Sequence, residues 1–244
     1  MVAQSLSNQD LRIEVITDAS DFVQAYECIL NAFGHQINDG IWTTMSPGWN
    51  TPEGKAKNTE DLRRRWEATK DAGNTIFVKA SLPDLESQGA RRIVGVAIWV
   101  HASAVPGEGE APAETDVAAV YPDDEREQRY LSQLLASLHK NRLELIKEKA
   151  KPESKQKSVM VLDLCVTDPA FQRRGVAKNL VKWGLDEAKR RGDIEASTEA
   201  SIMGRHVYKQ LGFHGVEEII FEVDEEFQER SMPSNLFMRT RPNE

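Results

Sequence analysis

Between Gln172 and Lys178 the chain reads Gln-Arg-Arg-Gly-Val-Ala-Lys, a basic turn with a glycine at its centre. An apolar, strand-like run from Val161 leads into it. After it, Val176, Leu180, Val181, Gly184, Leu185 and Ala188 recur on one broad helical face. A helix that begins at such a turn points unpaired backbone N–H groups, and the positive end of its dipole, at whatever lies in front. Gly175 permits close approach of the backbone, and Arg173 and Arg174 add attraction through their side-chain charge. The chemistry is anion binding, and the guest carries phosphate.

The spacing Gln172-x-x-Gly175-x-Ala177 resembles the pyrophosphate loop of the GNAT superfamily of N-acetyltransferases, Gln/Arg-x-x-Gly-x-Gly/Ala. Ala177 stands where many members have a second glycine. Downstream, Ile194-Glu195-Ala196-Ser197 and Val207-Tyr208-Lys209-Gln210-Leu211-Gly212-Phe213 look like the family's fifth strand and fourth helix, so the close resemblance runs from Val159 to Phe221. It implies acetyl-CoA as co-substrate. It also implies a pyrophosphate held by Gln172 and by the N–H groups of Arg173, Arg174, Gly175, Val176, Ala177 and Lys178, with Ser201 a further contact. By position, the backbone of Leu164, Cys165 and Val166 is then left free to pair with the pantetheine arm, and one of these N–H groups polarises the thioester carbonyl. Tyr208 is implied as the general acid that returns a proton to the leaving thiolate, a task suited to a phenol that is protonated at neutral pH.

The general base is less legible. Glu199 is the carboxylate chosen to take the proton of the acceptor ammonium, with Asp163 as the other candidate, and each has an equally good structural use. Cys28 and Cys165 read as buried fillers, and Cys165 as an inert thiol rather than a nucleophile. His35, His101, His139, His206 and His214 are scattered without metal-ligand spacing, so no metal is expected.

Around these residues the pattern of elements is α/β: a GNAT-like mixed, mostly antiparallel central sheet flanked by helices. Leu11 to Ile16, Thr75 to Ser81 and Arg92 to His101 read as strands, the last apolar on both faces and therefore central. Phe22 to Phe33 has helical spacing, with Thr17, Asp18 or Ser20 as its cap. His35 to Lys57 reads as a long aromatic-rich connection beside the acceptor site, before a charged helix around Glu60 to Asp71. Val105 to Asp116 reads as a surface linker and Asp123 to Ala150 as a long helix. Together with the lysine-rich Lys147 to Lys157, a solvated charge run, these form a helical insertion at 105–157 in a single domain spanning 1–244. Ile194 to Ser197 is expected as a short strand, Met203 to Gln210 as a helix capped by Gly212, and Phe213 to Val223 as the following strand.

A net charge of −8 over 244 residues argues against nucleic-acid binding and mildly favours cationic amines. No apolar run of about 18 residues is present, so no membrane partner is expected. The opening Met1 to Asp10 has neither a basic start nor an apolar centre, so a cytoplasmic location is expected. The aromatic connection and the helical insertion suggest an enclosed acceptor site, hence a small-molecule amine and direct transfer in a ternary complex. A protein or peptide acceptor and a non-catalytic acyl-CoA-binding regulatory module stay open as alternatives. The resemblance also allows a homodimer, which is common in the family.

Overall fold

The computed structural model of the protein describes residues 10–87 and 89–241. Residues 1–9, read above for a leader, lie outside the described residues. Strands β1 (Arg12–Val15), β2 (Thr75–Pro83), β3 (Arg91–Ala102), β4 (Val159–Thr167), β5 (Ala196–Ser201), β6 (His214–Glu218) and β7 (Asn235–Arg239) form one sheet. Their order is β1-β2-β3-β4-β5-β7-β6, and only β4 and β5 run parallel. The mixed, mostly antiparallel sheet expected from the sequence is present.

Helices cover both faces, which is why the centre of β3, residues 93–100, is apolar on both. On one side α6 (Val176–Arg190) and α7 (Ile202–Gln210) close a core of Trp99, Met160, Leu180 and Val181. On the other, α1 (Asp21–Ile29), continued by the π-helical turn Leu30–Gln36, and α3 (Pro52–Thr69) bury Phe22, Trp66, Phe77 and Ile98. Beside them α5 (Glu125–Ala150) packs Leu131 and Leu134 against Val159 of β4 and Phe237 of β7. Helix α6 sits unusually close to β3, because Gly184 leaves room for the indole of Trp99. The Trp99 Nε1–H reaches the Leu180 carbonyl at 3.4 Å, and a Cβ added at Gly184 would overlap the indole ring.

Several sequence expectations change. The connection His35 to Lys57 is not irregular: Asp39 caps a short helix α2 (Gly40–Met45) through the N–H groups of Ile41 and Trp42, and α3 already begins at Pro52. Thr51 caps that start and proline occupies the first turn, where its missing N–H costs nothing. Ser20 makes no side-chain cap for α1; Asp18 instead accepts from the Ser20 N–H at 2.8 Å. A short helix α4 (Val117–Val120) precedes α5. Strand β5 runs to Ser201, four residues beyond the expected end.

The strand expected over Phe213 to Val223 stops at Glu218. Ile219, Phe221 and Val223 pack under α5 instead, and β7, which the sequence reading missed, inserts between β5 and β6. Lys149 is not a solvated member of the lysine run. Its ammonium lies 2.8 Å from Glu195, whose carboxylate is 0% exposed and also takes two hydrogen bonds from Arg239 of β7, at 2.7 and 3.0 Å. Burial alone would raise the Glu195 carboxyl, and its two cationic partners hold it below the ordinary range. No helix among the described residues is long and apolar enough to cross a membrane.

The Gly184→Ala variant separates packing from helix propensity. Alanine favours an exposed helix by about 1 kcal/mol, whereas overpacking against a fully buried Trp99 costs about 1–3 kcal/mol. Urea unfolding is expected to show a net loss of stability, and a variant as stable as the parent would contradict the close packing of α6 on β3.

Candidate active site

Strands β4 and β5 pair only at Met160↔Ala196, Val161↔Ser197 and Leu162↔Thr198. Thr198 Oγ1 donates to the Leu162 carbonyl at 3.0 Å beside the last rung. Immediately beyond, Asp163 is a bulge: Leu162 pairs with Trp99 and Leu164 with Ile98, with Asp163 left over between them. Leu164, Cys165 and Val166 therefore stay paired to β3 along one edge and have no strand along the other.

Two cavities open at this parting. The first, about 540 Å³, lies between the 172–178 turn, the π-helical turn and α7. Gly175, the N-cap of α6, has φ of +78°, and a Cβ there would come no nearer than 3.6 Å to Asn179 Nδ2. Backbone conformation rather than space selects glycine at this position. Arg173 also takes a positive φ of 61°. No N–H from Arg173 to Lys178 has a hydrogen-bond partner among the described residues; the first one satisfied is that of Asn179, on the Gly175 carbonyl. Six successive donors are thus left unpaired in a turn that, Arg174 apart, lines this cavity. The turn is held from behind by Asp168, which accepts from Ala170 N–H at 2.9 Å and from Asn31 Nδ2 at 3.1 Å. Gln172 and Gln36 exchange amide hydrogen bonds of 2.8 and 3.2 Å across the rim.

The second cavity, about 760 Å³, is walled by Tyr26, Phe33 and Trp42 on one side and by α5 on the other. The 110–115 segment, expected as a surface linker, crosses this chamber; the Glu110 N–H bonds the His101 carbonyl at 2.8 Å and holds the segment beside β3. Trp49 packs behind Trp42 with ring centroids 5.8 Å apart. Phe33, Cys165, Ser201 and Tyr208 line both cavities, so the two meet at these side chains.

Of the residues singled out in the sequence, Val166, Gln172, Arg173, Gly175, Val176, Ala177 and Lys178 line the first cavity, and Leu164, Asp163 and Glu199 the second. Arg174 lines neither; its guanidinium stacks over the Phe171 ring at 5.8 Å. Tyr208 is 7% exposed, with its ring folded back over Gly204, where a Cβ would come within 2.5 Å of Cε2. Burial, and then the neighbouring Cys165 thiol, push the Tyr208 phenol well above its ordinary value. Burial likewise pushes the Cys165 thiol up to about 12, so no thiolate forms at neutral pH.

Two carboxylates of the chamber, Asp163 and Glu199, are tied to arginines that the sequence reading did not single out. Arg142 of α5 donates to Asp163 at 2.7 Å and grips both oxygens of Glu199, one at 3.0 Å. Arg65 of α3 takes the other Asp163 oxygen at 2.9 Å. Burial would raise the Asp163 carboxyl, but Arg65 and Arg142 hold it far below the carboxylate range. Arg142 follows Leu138 at helical spacing and looks in the sequence like the charged flank of an amphipathic helix; only its partners distinguish it. His139, one of the scattered histidines, also lines the chamber. Among the described residues no cluster of His, Cys, Asp or Glu is placed to hold a metal ion.

Residues 152–228, which carry the parted strand, the donor turn and Tyr208, match the family model described as the acetyltransferase (GNAT) domain. Over this segment the chain is similar to the GNAT acetyltransferases. Solved structures similar in fold include the mosquito arylalkylamine N-acetyltransferase-like 5b, at 16% identity and TM-score 0.60, covering 94% of this chain and 98% of that one. The polyamine N-acetyltransferase of Drosophila melanogaster, which forms N-acetylagmatine, has 14% identity and TM-score 0.58, with 94% and 97% covered. The yncA protein of Salmonella typhimurium, solved with its cofactor acetyl-CoA, has 13% identity and TM-score 0.54, with 94% and 92% covered. No curated protein sequence matches this chain.

Arg142 is the testable keystone of the chamber. Arg142→Met leaves Glu199 buried without a cation and Asp163 with one of two, at an expected cost of about 3–5 kcal/mol at neutral pH. Asp163 has a depressed folded-state value, so its stabilisation is present above the unfolded value of about 4 and is lost only as pH falls towards the folded one. Denaturant titrations should therefore show the gap between parent and variant narrowing below about pH 4, as Asp163 takes up its proton. A gap that stays constant with pH would rule out an electrostatic origin.

Proposed function

We propose that this protein transfers the acetyl group of acetyl-CoA to the amine of a small molecule while both are bound. The observation that carries this reading is the meeting of the two cavities at Tyr208, Cys165 and Ser201, where β4 parts from β5. The six free N–H groups from Arg173 to Lys178 fit a pyrophosphate, which needs many donors and tolerates little bulk. The open edge of Leu164, Cys165 and Val166 fits a chain of amide groups such as a pantetheine arm, with Ser201 facing the same space. When bound, acetyl-CoA supplies an acetyl group activated as a thioester.

The protein's own groups then have distinct tasks. A backbone N–H on the open edge of β4 stabilises negative charge developing on the carbonyl oxygen. Tyr208, protonated at neutral pH, donates its phenolic proton to the departing sulfur. Cys165 remains a thiol, which favours direct transfer over an acyl-enzyme. Glu199, the carboxylate chosen from the sequence as base, has both oxygens on Arg142 and serves in this reading to hold that side chain. The aromatic-lined chamber, and structural neighbours named as arylalkylamine and polyamine N-acetyltransferases, support a small-molecule acceptor.

Free-thiol release from acetyl-CoA across polyamines, arylalkylamines, amino acids, aminoglycosides and peptides tests the reading; release with small amines is expected, and release with peptides alone would move the acceptor to proteins. Tyr208→Phe is expected to lower kcat by about 10²–10⁴-fold and to leave acetyl-CoA affinity unchanged by calorimetry. Gly175→Glu, which strains a positive φ and places an anion at the donor turn, is expected to abolish acetyl-CoA binding, and retained affinity would remove the phosphate assignment.

A further inference from the structure

His139 lies on α5, one turn before Arg142, and its imidazole lines the chamber that ends at Tyr208 and Cys165. Positions three apart share one helix face, so the connection between β3 and β4 delivers both side chains to one wall. Their circumstances differ. Arg142 is fully engaged by Asp163 and Glu199, whereas the His139 ring makes no hydrogen bond to any described residue. Asp163 and Glu199 are both already engaged by guanidinium groups. Among the described residues lining the chamber, this imidazole is the only basic side chain that no ion pair or hydrogen bond engages.

We propose that His139 is the general base that deprotonates the acceptor ammonium, a role resting on the transferase reading above. One ring nitrogen takes a proton from the ammonium, and the freed lone pair forms the new N–C bond as the C–S bond breaks. The departing thiolate takes the phenolic proton of Tyr208, and the second amine proton returns to the Tyr208 oxygen. The proton on His139 leaves to water, so one acetylation yields one amide, one thiol and one released proton.

The surroundings suit a base that must be neutral before it acts. Burial, and then Arg142 and more weakly Arg65, favour the uncharged ring, while Glu199 and Asp163 facing it from β5 and β4 oppose them; the balance puts His139 below the ordinary histidine value. The same two carboxylates steady the imidazolium once it forms. A histidine in this position differs from one merely filling a core, which would be expected to hydrogen-bond a neighbour.

The test compares the parent protein with His139→Gln and His139→Ala, using tyramine, agmatine and spermidine as acceptors. His139→Gln is expected to lower kcat/KM by about 10²–10⁴-fold at neutral pH, with acetyl-CoA affinity unchanged. The loss should shrink towards about pH 10, where the acceptor amine sheds its own proton. Added imidazole is expected to restore part of the activity of His139→Ala, which a purely structural role would not allow. Independently of turnover, the side-chain ¹⁵N resonances of His139 should titrate below the usual histidine range and shift when tyramine, agmatine or spermidine is added. A His139→Gln enzyme with the parent's rate and pH profile overturns the assignment alone. A parent protein that releases no thiol with any amine or peptide, while still binding acetyl-CoA, overturns the transferase reading and this assignment with it.

Discussion

Everything at the centre of this molecule depends on two parallel strands failing to stay together. β4 and β5 share three residue pairs and then separate at the Asp163 bulge. A parted pair of strands leaves backbone donors and acceptors without partners, which is costly unless something else satisfies or replaces them. Here the gap is braced by charge. Arg142 reaches from α5 to Asp163 on one strand and Glu199 on the other, and Arg65 secures Asp163 from the opposite side. Two guanidinium groups against two carboxylates leave no net charge in the wedge, and that neutrality lets it persist below the surface.

The donor turn depends on a second constraint, the seating of α6. Trp99 reaches across the face of α6 because Gly184 offers no side chain, and this fixes the helix axis close above β3. The start of α6 is thereby placed beside the open edge of β4. Positive φ angles at Arg173 and Gly175 turn the chain sharply enough for successive N–H groups to face one space. The dipole end and the open strand edge stay side by side because the helix cannot drift.

The parts of the site most legible in the sequence were those encoded locally. The 172–178 turn carries its glycine, its charges and its flanking periodicities within a few residues, and Tyr208 lies in a compact helical segment. The central strand announced itself by being apolar on both faces. What escaped notice was encoded by partners far along the chain. Lys149 belongs to a lysine run and looks solvated until Glu195 and Arg239 are brought to it. Arg142 and His139 occupy the polar flank of a helix, where their types alone mean little. The alternating Ile219, Phe221 and Val223 look like a strand, yet they pack beneath α5 because Asn235 to Arg239 takes the adjacent place in the sheet. The aromatic connection was taken as irregular because its capping residues, Asp39 and Thr51, sit among glycines and prolines that also punctuate loops.

The position of β7 has a consequence for how the chain comes together during synthesis. β6 leaves the ribosome before β7, yet among the described residues β7 is its only neighbour in the sheet, and β7 also supplies the Arg239 partner of the buried Glu195. A nascent chain that has reached β6 therefore carries a strand with nothing to pair with and, at Glu195, an anion with one of its two cations still to come. The half of the sheet containing β5 cannot close progressively as it is made; it closes as one late event, when the strand between β5 and β6 arrives.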